Sequence, residues 1–326
     1  MRMLLRSFAT VVATASASAF ASAVAAGNTA ASSFDWQSIE YVYAFGDSYT
    51  FVQGTHGHAN YSFIGDLFDL SFTPGELLTD EIVYKNTSSD GANWIEYLTG
   101  CFAGDPAFCP RKLWDFAFAG ADIDGNILPL HHNFTVPLVD QVKQWVTYAK
   151  DVVPHPVKNT LTAWWIGIND TGDTISNATI TDWTAFWNAE MTSYFNAVQS
   201  AYDNGLQGAH LFINVPPGER APAHIDSDDQ DTIKAHIDLY NSVLADYVAA
   251  FAKEHPDTNV LTFDAHSWFN EVLDNAAVYG FTNTTGYCTC SDPSYFWYNT
   301  GHPTERVHRL LAAAIGISLK NASARG

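Results

Sequence analysis

The stretch Tyr41-Val42-Tyr43-Ala44-Phe45-Gly46-Asp47-Ser48-Tyr49-Thr50 changes character in its middle. Residues 41–45 are aromatic, β-branched or small, and read as a strand buried on both faces of a parallel sheet. They run into Gly46, where the missing Cβ permits a sharp turn, and Ser48 is left at the strand's carboxyl end. In an open α/β sheet that edge is where ligands bind. A Gly-Asp-Ser tripeptide alone is usually a turn or a helix cap, so its meaning depends on what the other strand ends carry.

Working outward, residues 113–118 read as a second buried strand that stops on Ala119-Gly120-Ala121. Residues 161–166 form a third, ending in Gly167-Ile168-Asn169-Asp170, residues 209–215 a fourth that halts at Pro216-Pro217-Gly218, and residues 260–264 a fifth. Helical spacing fills the intervals at 92–99, 137–150, 181–204 and 231–251, and one more helix follows His302. The aromatic stripe of 181–204 (Trp183, Phe186, Trp187, Tyr194, Phe195) reads as core rather than as a cofactor site. Alternating strands and helices indicate an α/β fold with a central parallel sheet of about five strands, covered on both sides.

The chain has 326 residues, 47% of them hydrophobic, enough for one large core. Residues 1–26 carry Arg2 and Arg6, an Ala/Val/Phe-rich centre and Val24-Ala25-Ala26 before Gly27, the pattern of a secretory signal peptide. Residues 27–38 then read as a linker and 39–321 as a single domain. Losing Arg2 and Arg6 takes the formal charge from −20 to −22, which repels nucleic acid and anionic lipid and leaves a neutral polymer such as a polysaccharide unopposed. The chain is therefore expected to bind no nucleic acid, to form no stable membrane association and to act as a monomer.

Four cysteines in a secreted chain suggest two disulfides, with local pairing of Cys101 with Cys109 and of Cys288 with Cys290 preferred among three connectivities. Sequons at Asn60, Asn86, Asn133, Asn177, Asn283 and Asn321 fit a glycosylated exterior. Asn169 also lies in a sequon but is assigned to chemistry below. His56 and His58 are spaced as metal ligands can be, yet no third ligand stands at readable spacing, so no metal and no cofactor is assigned.

In a parallel sheet the carboxyl ends of the strands share one edge, so Ser48, Gly120, Asn169 and the pre-helix His302 can meet although they span most of the chain. Acyl transfer needs a nucleophile, a general base and hydrogen-bond donors where the carbonyl oxygen turns negative. Ser48 suits the nucleophile and His302 the base. The N–H groups of Ser48 and Gly120 and the Asn169 carboxamide suit the oxyanion hole. Singly, Gly120 reads equally as a strand exit, Asn169 as a turn or glycan acceptor and His302 as a pre-helix polar residue, but all arising in chain order is improbable.

The segments Gly46-Asp47-Ser48-Tyr49-Thr50, Phe116-Ala117-Phe118-Ala119-Gly120-Ala121, Gly167-Ile168-Asn169-Asp170 and His302-Pro303-Thr304 resemble the four sequence blocks of the SGNH (GDSL) hydrolases. That resemblance covers nearly the whole mature chain. It implies catalytic Ser48 and His302, oxyanion donors at Gly120 and Asn169, and a flavodoxin-like three-layer α/β/α fold. Asn214-Val215-Pro216-Pro217 and Tyr295-Phe296-Trp297-Tyr298 are further similar to secreted fungal members near the family 16 carbohydrate esterases. The α/β-hydrolase elbow is disfavoured because Thr50 stands where its second glycine belongs.

One position departs from the family pattern: an aspartate usually sits three residues before the histidine, and here that residue is Asn299. In a serine protease the same exchange costs about four powers of ten in rate, largely through the wrong tautomer. Asn299 can present its oxygen, a backbone carbonyl can orient His302 instead, or Asp292 can reach in. The leading expectation is a secreted esterase that removes short acyl groups, acetyl above all, from plant cell-wall carbohydrate. The alternatives are a lipase or lysophospholipase, and a decayed hydrolase that only binds glycan.

Overall fold

The computed structural model describes residues 33–64 and 73–324, so the segment 1–26 read as a signal peptide lies outside the described residues. Five strands form one sheet: β1 (Tyr41–Gly46), β2 (Lys112–Asp115), β3 (Thr160–Trp165), β4 (Ala209–Ile213) and β5 (Val260–Phe263). All pairs are parallel and the order is β2-β1-β3-β4-β5. The chain passes from β1 to β2 on one flank of β1 and then to β3 on the other, which opens a crevice where the winding reverses. Gly46 pairs with Trp165 in register, so the turns that carry Ser48 and Asn169 flank that crevice at the same height.

The helices are α1 (Pro74–Thr79), α2 (Trp94–Thr99), α3 (Leu138–Gln144), α4 (Ile168–Asp173), α5 (Trp183–Asp203), α6 (Gln230–Glu254), α7 (Ala265–Asp274) and α8 (Glu305–Ser323). Two adjacent tryptophans of β3 show how they are layered, because successive strand residues point to opposite faces. Trp164 stacks on Phe45 at 4.6 Å and reaches Tyr194 of α5, while Trp165 meets Trp94 of α2 at 5.7 Å. Helix α5 packs between α3 and α6, and α2 packs on α8.

Several expected boundaries shift for identifiable reasons. The second strand is regular only to Asp115, yet Phe116 N–H still donates to Ala44 O and Phe118 N–H to Gly46 O, so the chain stays beside β1 as far as Phe118. The helix expected over 137–150 is α-helical to Gln144 and widens into a π turn over Trp145–Ala149, where Lys150 N–H bonds the carbonyl of Trp145. Asp264, read as the end of the fifth strand, instead caps α7 by accepting from Ser267 N–H at 2.9 Å.

The described part of the segment 27–38, expected as a linker, is packed. Phe34 and Trp36 are buried, Trp36 N–H donates to Ser323 Oγ at 2.8 Å, and the Arg111 guanidinium lies 4.0 Å over the Trp36 ring. A short, mostly polar segment lacking periodicity carries no signal of this. Both local disulfides are present, Cys101–Cys109 and Cys288–Cys290. The second lies within the connection between the short strands β6 (Asn283–Tyr287) and β7 (Tyr295–Trp297), which lead into the His302 loop.

Candidate active site

Glycine at 46 is required by a close approach rather than by the turn itself: a Cβ there would lie 2.1 Å from the carbonyl oxygen of Trp165. Beyond it, Asp47 is fully buried and accepts from Tyr49 N–H through Oδ1 at 2.9 Å. The Asp47 carbonyl takes the N–H groups of Thr50 and Phe51, both at 3.0 Å, which folds the chain back and leaves Ser48 at the bend. Asn93, the cap of α2, holds the far side of this bend by donating Nδ2–H to the carbonyls of Thr50 and Phe51 at 2.7 and 2.8 Å.

His302 arrives on a loop closed by an asparagine turn. Asn299 Oδ1 accepts from Gly301 N–H at 3.0 Å, from His302 N–H at 2.8 Å and from His302 Nδ1 at 3.0 Å. Two backbone donors can meet only an oxygen, so the orientation of this amide is dictated by its surroundings. Nδ1 facing that oxygen must carry the proton, and Nε2 is then bare and lies 2.7 Å from Ser48 Oγ. Of the three ways to orient His302, the structure takes the first. Asp292 is exposed and occupied with Ser294 N–H at 2.9 Å.

The loop is tied to the nucleophile's own turn, since Tyr49 Oη donates to Gly301 O at 2.6 Å. Ser89 Oγ supports the next residue by donating to Pro303 O at 2.7 Å. Burial lowers the His302 pKa to about 4, with no carboxylate beside the ring to oppose it.

The three donors proposed for the oxyanion come from the crevice edge. Gly120 has φ +83°, in the left-handed region that favours glycine. Asn169 stands in the first turn of α4 and donates Nδ2–H to Ala121 O at 2.8 Å, which fixes the carboxamide and leaves its second hydrogen without an acceptor among the described residues. Among the described residues, neither the Ser48 N–H nor the Gly120 N–H has an internal acceptor. Of the His56/His58 pair, His58 stacks on Phe134 with ring centroids 4.5 Å apart.

Residues 42–315 match the family model of the GDSL-like lipase/acylhydrolases, well over half of the chain. The chain belongs to that family. The acetylesterase of Thermothelomyces thermophilus is 28% identical to this GDSL hydrolase over 295 residues, 87% of this chain and 89% of that one. Among solved structures, a catalytic mutant of an acetylxylan esterase from Geobacillus stearothermophilus has 15% identity and a TM-score of 0.46, covering 86% of this chain and 94% of its own. An extracellular lipase from Streptomyces rimosus has 15% identity and a TM-score of 0.40, covering 85% and 99%. This GDSL hydrolase is a carboxylic ester hydrolase.

Sequence reasoning missed a set of acids beneath the site of the GDSL hydrolase. Asp47, Asp122, Asp170 and Glu190 are all buried, and Asp170 Oδ1 accepts from Ile123 N–H at 2.9 Å. Both oxygens of Asp122 and of Glu190, Asp47 Oδ2 and Asp170 Oδ2 have no hydrogen-bond partner among the described residues. Burial pushes Asp47 up to about 8, and raises Asp122, Asp170 and Glu190 as well, with mutual repulsion adding to the effect. Carboxyls at scattered positions carry no sequence signal of burial, apart from Asp47 and Asp170 standing inside the strand-end motifs.

These acids set the stability of the enzyme against pH. A carboxyl whose folded pKa is raised stabilises the fold when protonated, and that contribution falls as pH climbs from the unfolded value of about 4 to the folded one. His210 and His302, lowered to about 4, and His308, lowered to about 3, act with the opposite sign, but only below about 6.5. Above pH 6.5 the carboxyls dominate, each costing about 1.4 kcal/mol per pH unit while it stays protonated in the folded state, and His131, raised by its hydrogen bond to Asp173, acts in the same direction. Calorimetry should show Tm falling by about 5 °C or more between pH 6.5 and pH 9, with a shallower slope in Glu190→Gln.

Proposed function

We propose that this ester hydrolase is a secreted serine esterase that removes short acyl groups, acetyl above all, from carbohydrate. The observation that carries the mechanism is the relay from Asn299 Oδ1 through His302 to Ser48 Oγ, with links of 3.0 and 2.7 Å. Ser48 Oγ attacks the ester carbonyl while His302 Nε2 takes its proton. The carbonyl oxygen, now negative, receives hydrogen bonds from Ser48 N–H, Gly120 N–H and Asn169 Nδ2–H. His302 returns the proton to the leaving alcohol, and water then hydrolyses the acyl-enzyme by the same steps. Asn299 holds the tautomer and orients the ring.

The acetylesterase relative supports the choice of acyl group, and the charge of −20 favours a neutral over an anionic polymer. Secretion is supported by the Arg-led apolar segment 1–26, by both disulfides and by exposed sequon asparagines at 60, 133 and 321. A panel of p-nitrophenyl esters from acetyl to palmitoyl tests the acyl preference. The expected outcome is kcat/KM highest at acetyl and about tenfold or more lower by octanoyl. A maximum at long chains would instead favour the lipase reading.

A further inference from the structure

A second histidine stands at the oxyanion position, on the loop that follows Gly120. A Cβ placed on Gly120 would lie 3.1 Å from His131 Cδ2 and 3.5 Å from its Cγ, so this edge of the imidazole covers the glycine. The opposite edge is held in place: His131 Nδ1 lies 2.6 Å from Asp173 Oδ2, at the end of the same α4 whose start carries Asn169. Three successive contacts thus join this loop to α4, namely Asn169 to Ala121, Asp170 to Ile123 and Asp173 to His131.

The outermost of these differs from the other two. Asn169 is half-buried and Asp170 fully buried, whereas the His131 and Asp173 side chains are 37% and 36% exposed. The hydrogen bond to Asp173 raises the His131 pKa and keeps Nδ1–H directed at the carboxylate. Nε2, the ring atom next to the Cδ2 that faces Gly120, has no partner among the described residues. The ring is therefore oriented by one nitrogen and offers the other to solvent beside the oxyanion site.

An aromatic wall continues from it. His132 lies 4.8 Å from His131 and stacks on Phe134 at 5.0 Å, and Phe134 meets Tyr61 at 4.7 Å. Tyr61 is anchored at the same place, because its carbonyl accepts from Ala119 N–H at 2.9 Å. His132, Phe134 and Tyr61 are half-buried, so parts of their rings face outward.

Resting on the carbohydrate-esterase reading above, we propose that His131, held by Asp173, is a substrate-binding residue that hydrogen-bonds a sugar hydroxyl next to the acylated oxygen, with the His132–Phe134–Tyr61 wall receiving the apolar face of the sugar ring. An acetyl methyl has no atom to pair with an imidazole nitrogen, so the group served by Nε2 belongs to the alcohol half of the ester. Imidazole Nε2 accepts from a hydroxyl when neutral and donates to one when protonated. The partner chemistry is thus an uncharged hydroxyl rather than an anion, whose attraction the Asp173 carboxylate would cancel.

The test compares two esters in one enzyme: a mono-O-acetylated methyl glycoside with free neighbouring hydroxyls, and p-nitrophenyl acetate, which has none. His131→Phe retains a ring against Gly120 and removes both nitrogens. Its kcat/KM on the sugar ester should fall about tenfold further than on the aryl ester, the value of one hydrogen bond. His131→Gln, which keeps a side-chain amide, should recover part of that ratio. Equal losses on both esters would make His131 a loop tether only, and an unchanged ratio with wild-type rates would also overturn the inference. A wild-type enzyme that cleaves p-nitrophenyl acetate but not the acetylated glycoside would fail the carbohydrate reading itself.

Discussion

Ser48→Ala is expected to lower kcat/KM on p-nitrophenyl acetate by about four to six powers of ten, the loss seen when the nucleophile is removed from a serine hydrolase relay. The hydroxyl is small, and among the described residues its one hydrogen bond is to His302 Nε2 at 2.7 Å. The turn that presents it is built by other groups: the Asp47 carboxylate and carbonyl, the Asn93 carboxamide and the close pass of Gly46 over Trp165. Thermal unfolding of the variant should therefore match that of the wild type within a few degrees. Retention of more than about 1% of the activity, measured on protein free of contaminating esterase, would remove Ser48 from the nucleophile's place. Labelling by an organophosphonate should be lost in the same variant, because phosphonylation needs the same activated oxygen.

Much of this arrangement was legible before the fold was known, and its limits have physical causes. Buried parallel strands announce themselves as short apolar runs, and each of the four decisive runs ends on residues whose chemistry is visible: Gly46-Asp47-Ser48, Gly120, Gly167-Ile168-Asn169 and Pro216-Pro217. The alternation of elements implies that the carboxyl ends share one edge, but the order β2-β1-β3-β4-β5, which puts Ser48 and Asn169 on adjacent strand ends, is visible only in the fold. The orientation of the Asn299 amide was not legible. It depends on two backbone N–H groups within the loop between β7 and α8, and sequence specifies which residues are present but not where the peptide planes point. His131 was invisible for a related reason, because the loop carrying it has no periodicity and its partner Asp173 lies 42 positions away. The buried acids were missed because a lone Asp or Glu reads as surface, and only packing reveals that Asp122 and Glu190 are enclosed.

Asn299 is the residue whose replacement should separate two functions normally fused in one aspartate, orienting the base and stabilising its charge. Asn299→Ala removes the acceptor shared by Gly301 N–H, His302 N–H and His302 Nδ1. The imidazole is then free to turn and to take the other tautomer, and kcat/KM should fall by about three to four powers of ten. Asn299→Asp keeps an oxygen in the same place and adds a negative charge, which favours imidazolium and raises the His302 pKa by about one to three units. In the wild type, burial alone holds that pKa at about 4, so the base is already neutral in mildly acidic medium and the acid limb of kcat/KM should lie well below pH 6. In Asn299→Asp the limb should move upward while the plateau rate increases, because the charge stabilises the cation formed in the transition state. The neutral carboxamide thus keeps the base available at low pH at the expense of peak rate. An Asp variant whose limb and plateau both coincide with the wild type would show that some other group orients His302, and the same pH–rate series on Asn299→Ala would then show little loss.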